Sequence, residues 1–428
     1  FVSNDDLLEV IHAKATRFLL AQPGLTGDTS AFPSESHWIQ RSTNHGIVIY
    51  LAYLFGIKLS GLHVPACIEK NYYSLMNNAF QDGSYAEGNS YMQFVLTEFI
   101  PLYALHFLAG SCSFNSFIGK LPFLPLLKKY SSYCTDSCGG LLATFGDCGH
   151  DSWLPSVAKF IASIPSSDHN FYLLPEVTAT AGVERISCEG IDFLANLLTP
   201  ASVLIDPDGT SFFLSSKNGL LGARSTCYGK SIMRLFAISS TVHKTHNRDH
   251  DLLSFNLELG GQIVLTEKPG RHRAQVDHCS IVSMDSLDDY DPSFVSPGLF
   301  GSLGSKLRGR GKRSRSLSGS VSTLSFDSTG CISPDFLAKY SAFVLRSSPM
   351  FFEGKNCQCK SAFRFLFINR NPLDRMPLIV LDLAFSSACD SGQRFFSHLL
   401  VPSKVSNYIE EHSSEGCQVE LSRNASLI

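Results

Sequence analysis

Two short polar segments combine residue types that suit proton transfer next to an anion. The first is Asn44-His45-Gly46, directly before an apolar run, and the second extends from Asp82 to Tyr91. An amide such as Asn44 donates hydrogen bonds to a carboxylate, and an imidazole such as His45 exchanges a proton near neutral pH. A phenol such as Tyr91 exchanges its proton near neutral pH when a neighbouring cation lowers its pKa. Each segment alone is also typical of an ordinary helix beginning, where Asn caps the helix and Tyr packs into the core.

Together the two segments resemble the heparinase II/III-like polysaccharide lyases and the related alginate lyases. Members of that family carry an Asn-His-Gly at the head of one inner helix, facing a DG-x-x-x-EG-x-S-Y segment at the head of a later helix. The resemblance implies a lyase that cleaves a uronic-acid-containing glycan by β-elimination. The residues that carry it, in the same order and spacing, are Asn44-His45-Gly46, Asp82-Gly83, Glu87-Gly88 and Ser90-Tyr91.

The resemblance also implies a role for each polar residue of the two segments. Asn44 neutralises the uronate carboxylate, so that charge developing in the enolate-like transition state is stabilised. Tyr91 takes the C5 proton and protonates the leaving oxygen, or it divides these two steps with His45. Glu87 is interpreted as a residue that binds the substrate or orients its neighbours, with acid–base work as the alternative.

Two arginines are further candidates for substrate binding. Arg41 and Arg224 carry the planar guanidinium that suits a carboxylate or a sulfate. The alternative for each is a structural or surface salt bridge.

A third segment resembles the histidine strand of the family, His-x-His-x-Asp-x-x-Ser-Phe, but departs from it. Residues 251–255 match the Asp, Ser and Phe, whereas Asn247 and Asp249 occupy the two His positions. A shift of one residue brings His246 or His250 into the catalytic role. The sequence therefore leaves open which histidine completes the site.

The same resemblance implies a structural zinc ion beside this strand. The corresponding ligand positions hold Asp249 or His250, then Glu267 before a Pro-Gly turn, and His278. Imidazole nitrogen and carboxylate oxygen are both accepted zinc ligands. The alternative is a polar loop network without a metal. No organic cofactor is expected. The chain has no P-loop, no dinucleotide fingerprint and no GxSxG elbow, which excludes several rival enzyme classes.

Hydrophobic patterns divide the elements that must position these residues into two groups. Apolar residues recur at helical spacing before residue 200, and alternation typical of strands follows it. The predicted helices lie at about 7–19, 47–57, 65–79, 91–108, 122–133 and 154–164. The predicted strands lie at about 203–205, 211–214, 232–239, 252–259, 262–266, 279–282, 343–345, 363–368, 378–385 and 395–401.

We therefore predict a multidomain chain of α and β structure. Residues 1–198 form an (α/α) incomplete toroid, since helices that are apolar all round are typical of an inner ring. Residues 199–428 form an antiparallel β-sheet or sandwich domain. A basic, Ser/Gly-rich insertion near 304–325 carries six Lys and Arg between Lys306 and Arg315. It is interpreted as a disordered surface insertion, with an arm for an anionic polymer or nucleic acid as the alternatives.

Composition restricts the class of partner. The 428 residues exceed one ordinary core, and a net charge of −3 gives no general attraction to nucleic acid. The expected partner is an acidic polysaccharide or oligosaccharide, and the oligomeric state stays open.

No apolar stretch is long enough to span a membrane. The chain begins at Phe1 without Met or a signal-peptide pattern, as a trimmed or a mature fragment does. A periplasmic or secreted location is expected, with the cytoplasm as the alternative.

Two other functions compete with the lyase. A toroidal glycoside hydrolase would need a carboxylate pair across the cleft, for which Glu87 with Asp82 or Glu98 is the available choice. A non-catalytic glycan-binding toroid is favoured by the altered histidine strand.

Overall fold

The structure is a computed structural model. It describes residues 10, 44–59, 66–85, 87–108, 119–145, 152–164, 208–215, 218–239, 253–266, 281–284, 320–323, 334–347, 350–351, 359–374, 377–386 and 394–397. The boundary predicted at 198/199 lies outside these ranges, as does nearly all of the helix predicted at 7–19.

Five helices form the first part of the described chain, where the hydrophobic pattern predicts them. The third continues through Pro101, and it packs against the first. Within the described ranges, no helix has the length and apolar character to cross a membrane. The helices are α1 (Asn44–Leu59), α2 (Ala66–Ala79), α3 (Asn89–Leu108), α4 (Phe123–Cys134) and α5 (Pro155–Ser163).

A five-stranded antiparallel sheet follows, with its strands side by side in chain order. The alternation at 211–214 predicts the first strand, which pairs with a strand at 220–227 that the sequence pattern did not predict. The strands are β1 (Gly209–Ser215), β2 (Leu220–Cys227), β3 (Lys230–Ile238), β4 (Phe255–Leu259) and β5 (Gln262–Leu265).

Both faces of this sheet are covered by other elements. Successive side chains of a strand point to opposite sides, so each strand contributes to both interfaces. One face joins the hydrophobic core of the helices through Phe213, Leu220, Phe236 and Ile238. The other face joins a second core through Leu221, Ala223, Leu235 and Ala237, which pack with Phe343, Leu345, Leu366 and Ile368 of another sheet. The helices, the five-stranded sheet and the second sheet thus form three layers.

The second sheet is antiparallel and has four strands in the described ranges. Its order is β11-β10-β8-β7, and a smaller sheet with the order β12-β6-β9 contains one parallel pair, β6 with β9. The remaining elements are β6 (Ile281–Met284), β7 (Ser320–Thr323), α6 (Pro334–Lys339), β8 (Tyr340–Ser347), β9 (Met350–Phe351), β10 (Cys359–Asn369), β11 (Leu378–Ser386) and β12 (Arg394–Ser397).

Four residues of the predicted basic insertion form a strand. Residues 320–323 form β7, which pairs with β8 in antiparallel register, so the prediction of disorder is wrong for these four residues. Thr and Val favour a pleated strand, and the pairing with β8 supplies hydrogen-bond partners that local composition does not reveal. Residues 304–319 lie outside the described ranges.

Candidate functional site

The heads of α1 and α3 are joined by one buried carboxylate. The backbone N–H of Asn44, the first residue of α1, donates to Oε2 of Glu87 at 2.7 Å. Glu87 stands two residues before the start of α3 and is 3% exposed, as is Asn44. A carboxylate at a helix N-terminus satisfies an otherwise unbonded N–H and opposes the positive end of the helix dipole. The two predicted segments therefore meet in the fold.

Tyr85 fixes the same carboxylate oxygen from the other side. Its hydroxyl donates to Glu87 Oε2 at 3.1 Å, and its ring is fully buried. Burial, followed by the negative charge and hydrogen bond of Glu87, raises the pKa of Tyr85 well above its ordinary range. The phenol therefore stays protonated and keeps donating to Glu87.

The raised pKa of Tyr85 predicts a loss of stability at alkaline pH. The unfolded chain releases the Tyr85 proton near pH 10, whereas the folded chain retains it. Its contribution is fully present below pH 10 and is lost as the pH rises beyond that value. We expect the free energy of unfolding to fall by about 1.4 kcal/mol per pH unit for this residue above pH 10. Denaturant unfolding of the wild type and of Tyr85→Phe between pH 9 and 11.5 measures the difference in slope.

A second replacement controls for the general effect of alkali. Tyr228 is 83% exposed, and Tyr228→Phe serves as the control that removes a tyrosine hydroxyl from the surface. Equal slopes for the wild type and Tyr85→Phe would contradict the raised pKa of Tyr85, and with it the buried setting of its phenol beside Glu87.

The start of α3 is held from two further directions. Asn89 donates from Nδ2 to the carbonyl of Ala143 at 2.8 Å and accepts from the Tyr130 hydroxyl at 2.8 Å. Asn89 and Tyr130 have no exposed surface, so these bonds lie within the core. They fix the helix turn that carries Tyr91.

Tyr91 is the third residue of α3, and its side chain is half-buried against the helical core. Asn44 and Tyr91 therefore stand in the first turns of two packed helices whose N-terminal ends meet at Glu87. His45 is the second residue of α1, and its side chain falls outside what the structure describes.

Arg224 lies beneath α4, in the interface between the helices and the five-stranded sheet. Its side chain is 2% exposed, and its guanidinium stands 5.6 Å from the ring centre of Tyr133. Its Nη1 donates to the carbonyl of Ser132 at 3.5 Å. The structure therefore places Arg224 in a buried interlayer contact, and its role as a substrate clamp stays a prediction.

The remaining predicted site residues fall outside the described ranges. These are Arg41, His246, Asp249, His250, Glu267 and His278. Among the residues that the structure does describe, no group of three or more His, Cys, Asp or Glu side chains is close enough to hold a metal. The zinc site stays a prediction, since its ligands are not among them.

Two polar residues that contact the site region were missed by the sequence analysis. Ser215 ends β1 and Asn218 precedes β2, and both hydrogen-bond to the turn that begins with Asp82. Their sequence context, Ser-Ser-Lys-Asn-Gly, is typical of any hairpin loop. Only their near-complete burial distinguishes them, and burial depends on the packing of the whole chain.

Comparison with known proteins leaves the family unassigned. No protein-family model matches the sequence, and no curated protein matches it. Among solved structures, the chain is similar to heparan sulfate lyase HepC from Pedobacter heparinus, with 10% identity and a TM-score of 0.42, covering 88% of this chain and 50% of that one. A mutant of that lyase matches with 11% identity and a TM-score of 0.43, over 82% of this chain and 47% of the other. The chain spans about half the length of these structures.

Proposed function

We propose that the protein is a polysaccharide lyase that cleaves a uronic-acid-containing glycan by β-elimination at the heads of α1 and α3. The observation that carries the proposal is the buried hydrogen bond from the Asn44 N–H to Glu87, at 2.7 Å. It joins two motif segments that lie 43 residues apart in the chain, and whose order and spacing resemble the lyase family. The surrounding helices belong, in this proposal, to an incomplete (α/α) toroid.

The proposed chemistry uses one group to bind the substrate carboxylate and one or two groups to transfer protons. The Asn44 amide donates to the uronate carboxylate and stabilises the charge that develops when C5 loses its proton. Tyr91 removes that proton and protonates the departing oxygen at C4, or it shares the two steps with His45.

Two features count against Glu87 and Glu98 as the carboxylate pair of a hydrolase. Glu87 is buried and accepts hydrogen bonds from Asn44 and Tyr85, so its Oε2 is engaged within the protein. Glu98 lies nine residues after the first residue of α3, which places it about 14 Å along the helix. A hydrolase pair requires separations of roughly 5 to 9.5 Å.

The test is a panel of uronate polymers, including alginate, heparan sulfate, chondroitin sulfate and hyaluronan. Each reaction is followed both by the absorbance of the unsaturated uronate and by the appearance of reducing ends. We expect both signals to rise together with at least one polymer. Reducing ends without absorbance would identify a hydrolase, and neither signal together with retained glycan binding would support the non-catalytic alternative.

A further inference from the structure

Four polar residues from two distant parts of the chain form a closed ring of hydrogen bonds. Asp82 and Ser84 belong to the turn after α2. Ser215 ends β1, and Asn218 lies in the loop between β1 and β2. The Ser84 hydroxyl donates to Asp82 Oδ1 at 2.6 Å, and the Ser215 hydroxyl donates to Asp82 Oδ2. Asn218 donates from Nδ2 to Ser84 Oγ at 2.6 Å and from its backbone N to Ser215 Oγ at 3.1 Å.

The direction of every bond in the ring is fixed. A serine hydroxyl has one hydrogen, and both hydroxyls direct theirs at Asp82, so each accepts from Asn218. Ser84, Ser215 and Asn218 are at most 3% exposed, and the Ser84 N–H adds a further bond to Asp82 Oδ1 at 3.1 Å. Buried bonds of this kind are costly to leave unmade, because water cannot replace them.

The sheet side of the ring is anchored beyond β1 and β2. The carbonyl of Gly219, next to Asn218, accepts from the Ser239 N–H at 2.7 Å. The Ser239 hydroxyl donates to the carbonyl of Arg346 in β8 at 2.6 Å. The loop therefore takes its position from both large sheets.

The helix side of the ring leads directly to the candidate site. Asp82 and Ser84 begin the turn whose later residue Glu87 binds the N–H of Asn44. The same turn ends at the head of α3, which carries Tyr91. A displacement of this turn would therefore move both helix heads.

We propose that Ser215 and Asn218 are positioning residues, through which the β-sheets set the position of Asn44 and Tyr91. The role rests on the proposed function, because it assigns the two residues to the elimination reaction. They do not touch the reacting sugar. Their effect is transmitted through Asp82, Ser84 and the turn that follows.

The first test replaces Ser215 by Ala in the full chain. Hydrogen exchange of peptides covering 44–59 and 82–92 is expected to accelerate by about tenfold, since the opening free energy falls by about 1.4 kcal/mol when a buried bond is removed. If the wild type eliminates a uronate polymer, kcat is expected to fall by about tenfold or more, with KM within about twofold, because misplaced groups lose rate more than binding. Ser215→Thr keeps the hydroxyl and is expected to restore both values.

The matched control lies at the other end of the same strand. Thr210 bonds to Ser225, Asn369 and Arg370, away from the turn that follows α2. Thr210→Val removes a hydroxyl from β1 and is expected to change neither the exchange at 44–59 and 82–92 nor kcat. Asn218→Asp replaces the Nδ2 donor by an oxygen and keeps nearly the same side-chain shape. It serves as a second ring variant if Ser215→Ala does not fold.

Two results would overturn the proposal, and they are separate from failure of the lyase assignment. Unchanged exchange at 82–92 in both ring variants would show that the ring does not hold the turn. An equal loss of kcat in Thr210→Val would show a general stability effect. A third outcome is a wild type that yields no unsaturated product, with ring variants that accelerate exchange. The lyase assignment and the catalytic role of the ring would then both fail, while the structural coupling of the sheets to the turn would remain.

Discussion

Replacement of Tyr91 by Phe is expected to lower kcat for elimination by about a thousandfold, with little change in KM. The phenol is proposed to move both protons of the reaction, and a positioned acid–base group contributes roughly 10² to 10⁴ in rate. The ring itself is half-buried against the helical core, and Phe preserves that packing. The measurement is the initial rate of unsaturated product formation by purified wild type and variant.

Tyr73 provides the matched control for this replacement. It is also a half-buried tyrosine that packs against the helical core, but it lies on α2 beside Lys120. Tyr73→Phe is expected to retain the wild-type rate. A Tyr91→Phe variant that turns over at the wild-type rate would remove Tyr91 from the mechanism and return the acid–base role to His45 or another group.

Replacement of Gly83 by Ala is expected to destabilise the fold by about 4 kcal/mol, because it combines strain with a collision. The φ of Gly83 is +84°, a region that side chains rarely adopt. A Cβ there would also come within 2.5 Å of backbone atoms of Leu126 and Leu127 in α4, which cannot move without displacing the helix. Denaturant unfolding monitored by circular dichroism measures the change.

Replacement of Gly260 separates the backbone strain from the steric collision. Its φ is +55°, and a Cβ there would meet nothing within 4 Å. Gly260→Ala therefore carries the conformational strain alone, and we expect a loss of about 1 kcal/mol. Similar losses for the two variants would mean that the turn after α2 does not press against α4 as described.

The helices were predictable because their apolar residues recur with the helical period. The patterns at 47–57, 65–79, 91–108, 122–133 and 154–164 correspond to α1 through α5 within a few residues. α1 and α3 are nearly uniformly apolar, which predicts burial on several sides. Their pairing was implied only by the family resemblance, because the distance between two segments depends on contacts that no local pattern contains.

β2 shows the opposite case. All eight of its residues are buried, so the sequence Leu-Leu-Gly-Ala-Arg-Ser-Thr-Cys has no exposed polar face to mark a strand. One side packs on the helices and the other on the second sheet, a condition under which alternation disappears. Arg224 is polar and nevertheless buried in this strand, and its prediction as a substrate clamp drew on residue type alone.

The segments around Asn44 and Glu87 show which features the sequence determines and which features the tertiary structure determines. The sequence by itself determined the residue types of Asn44, Glu87 and Tyr91, their helical settings, and a spacing that resembles uronate lyases. Only the tertiary structure decided that Glu87 accepts the N–H of Asn44, and that Ser215 and Asn218 hold the turn beginning at Asp82. The physical reason is that helix formation depends on neighbours three and four residues apart, whereas these hydrogen bonds join groups 43 to 134 residues apart. Their partners are selected by the way the layers pack.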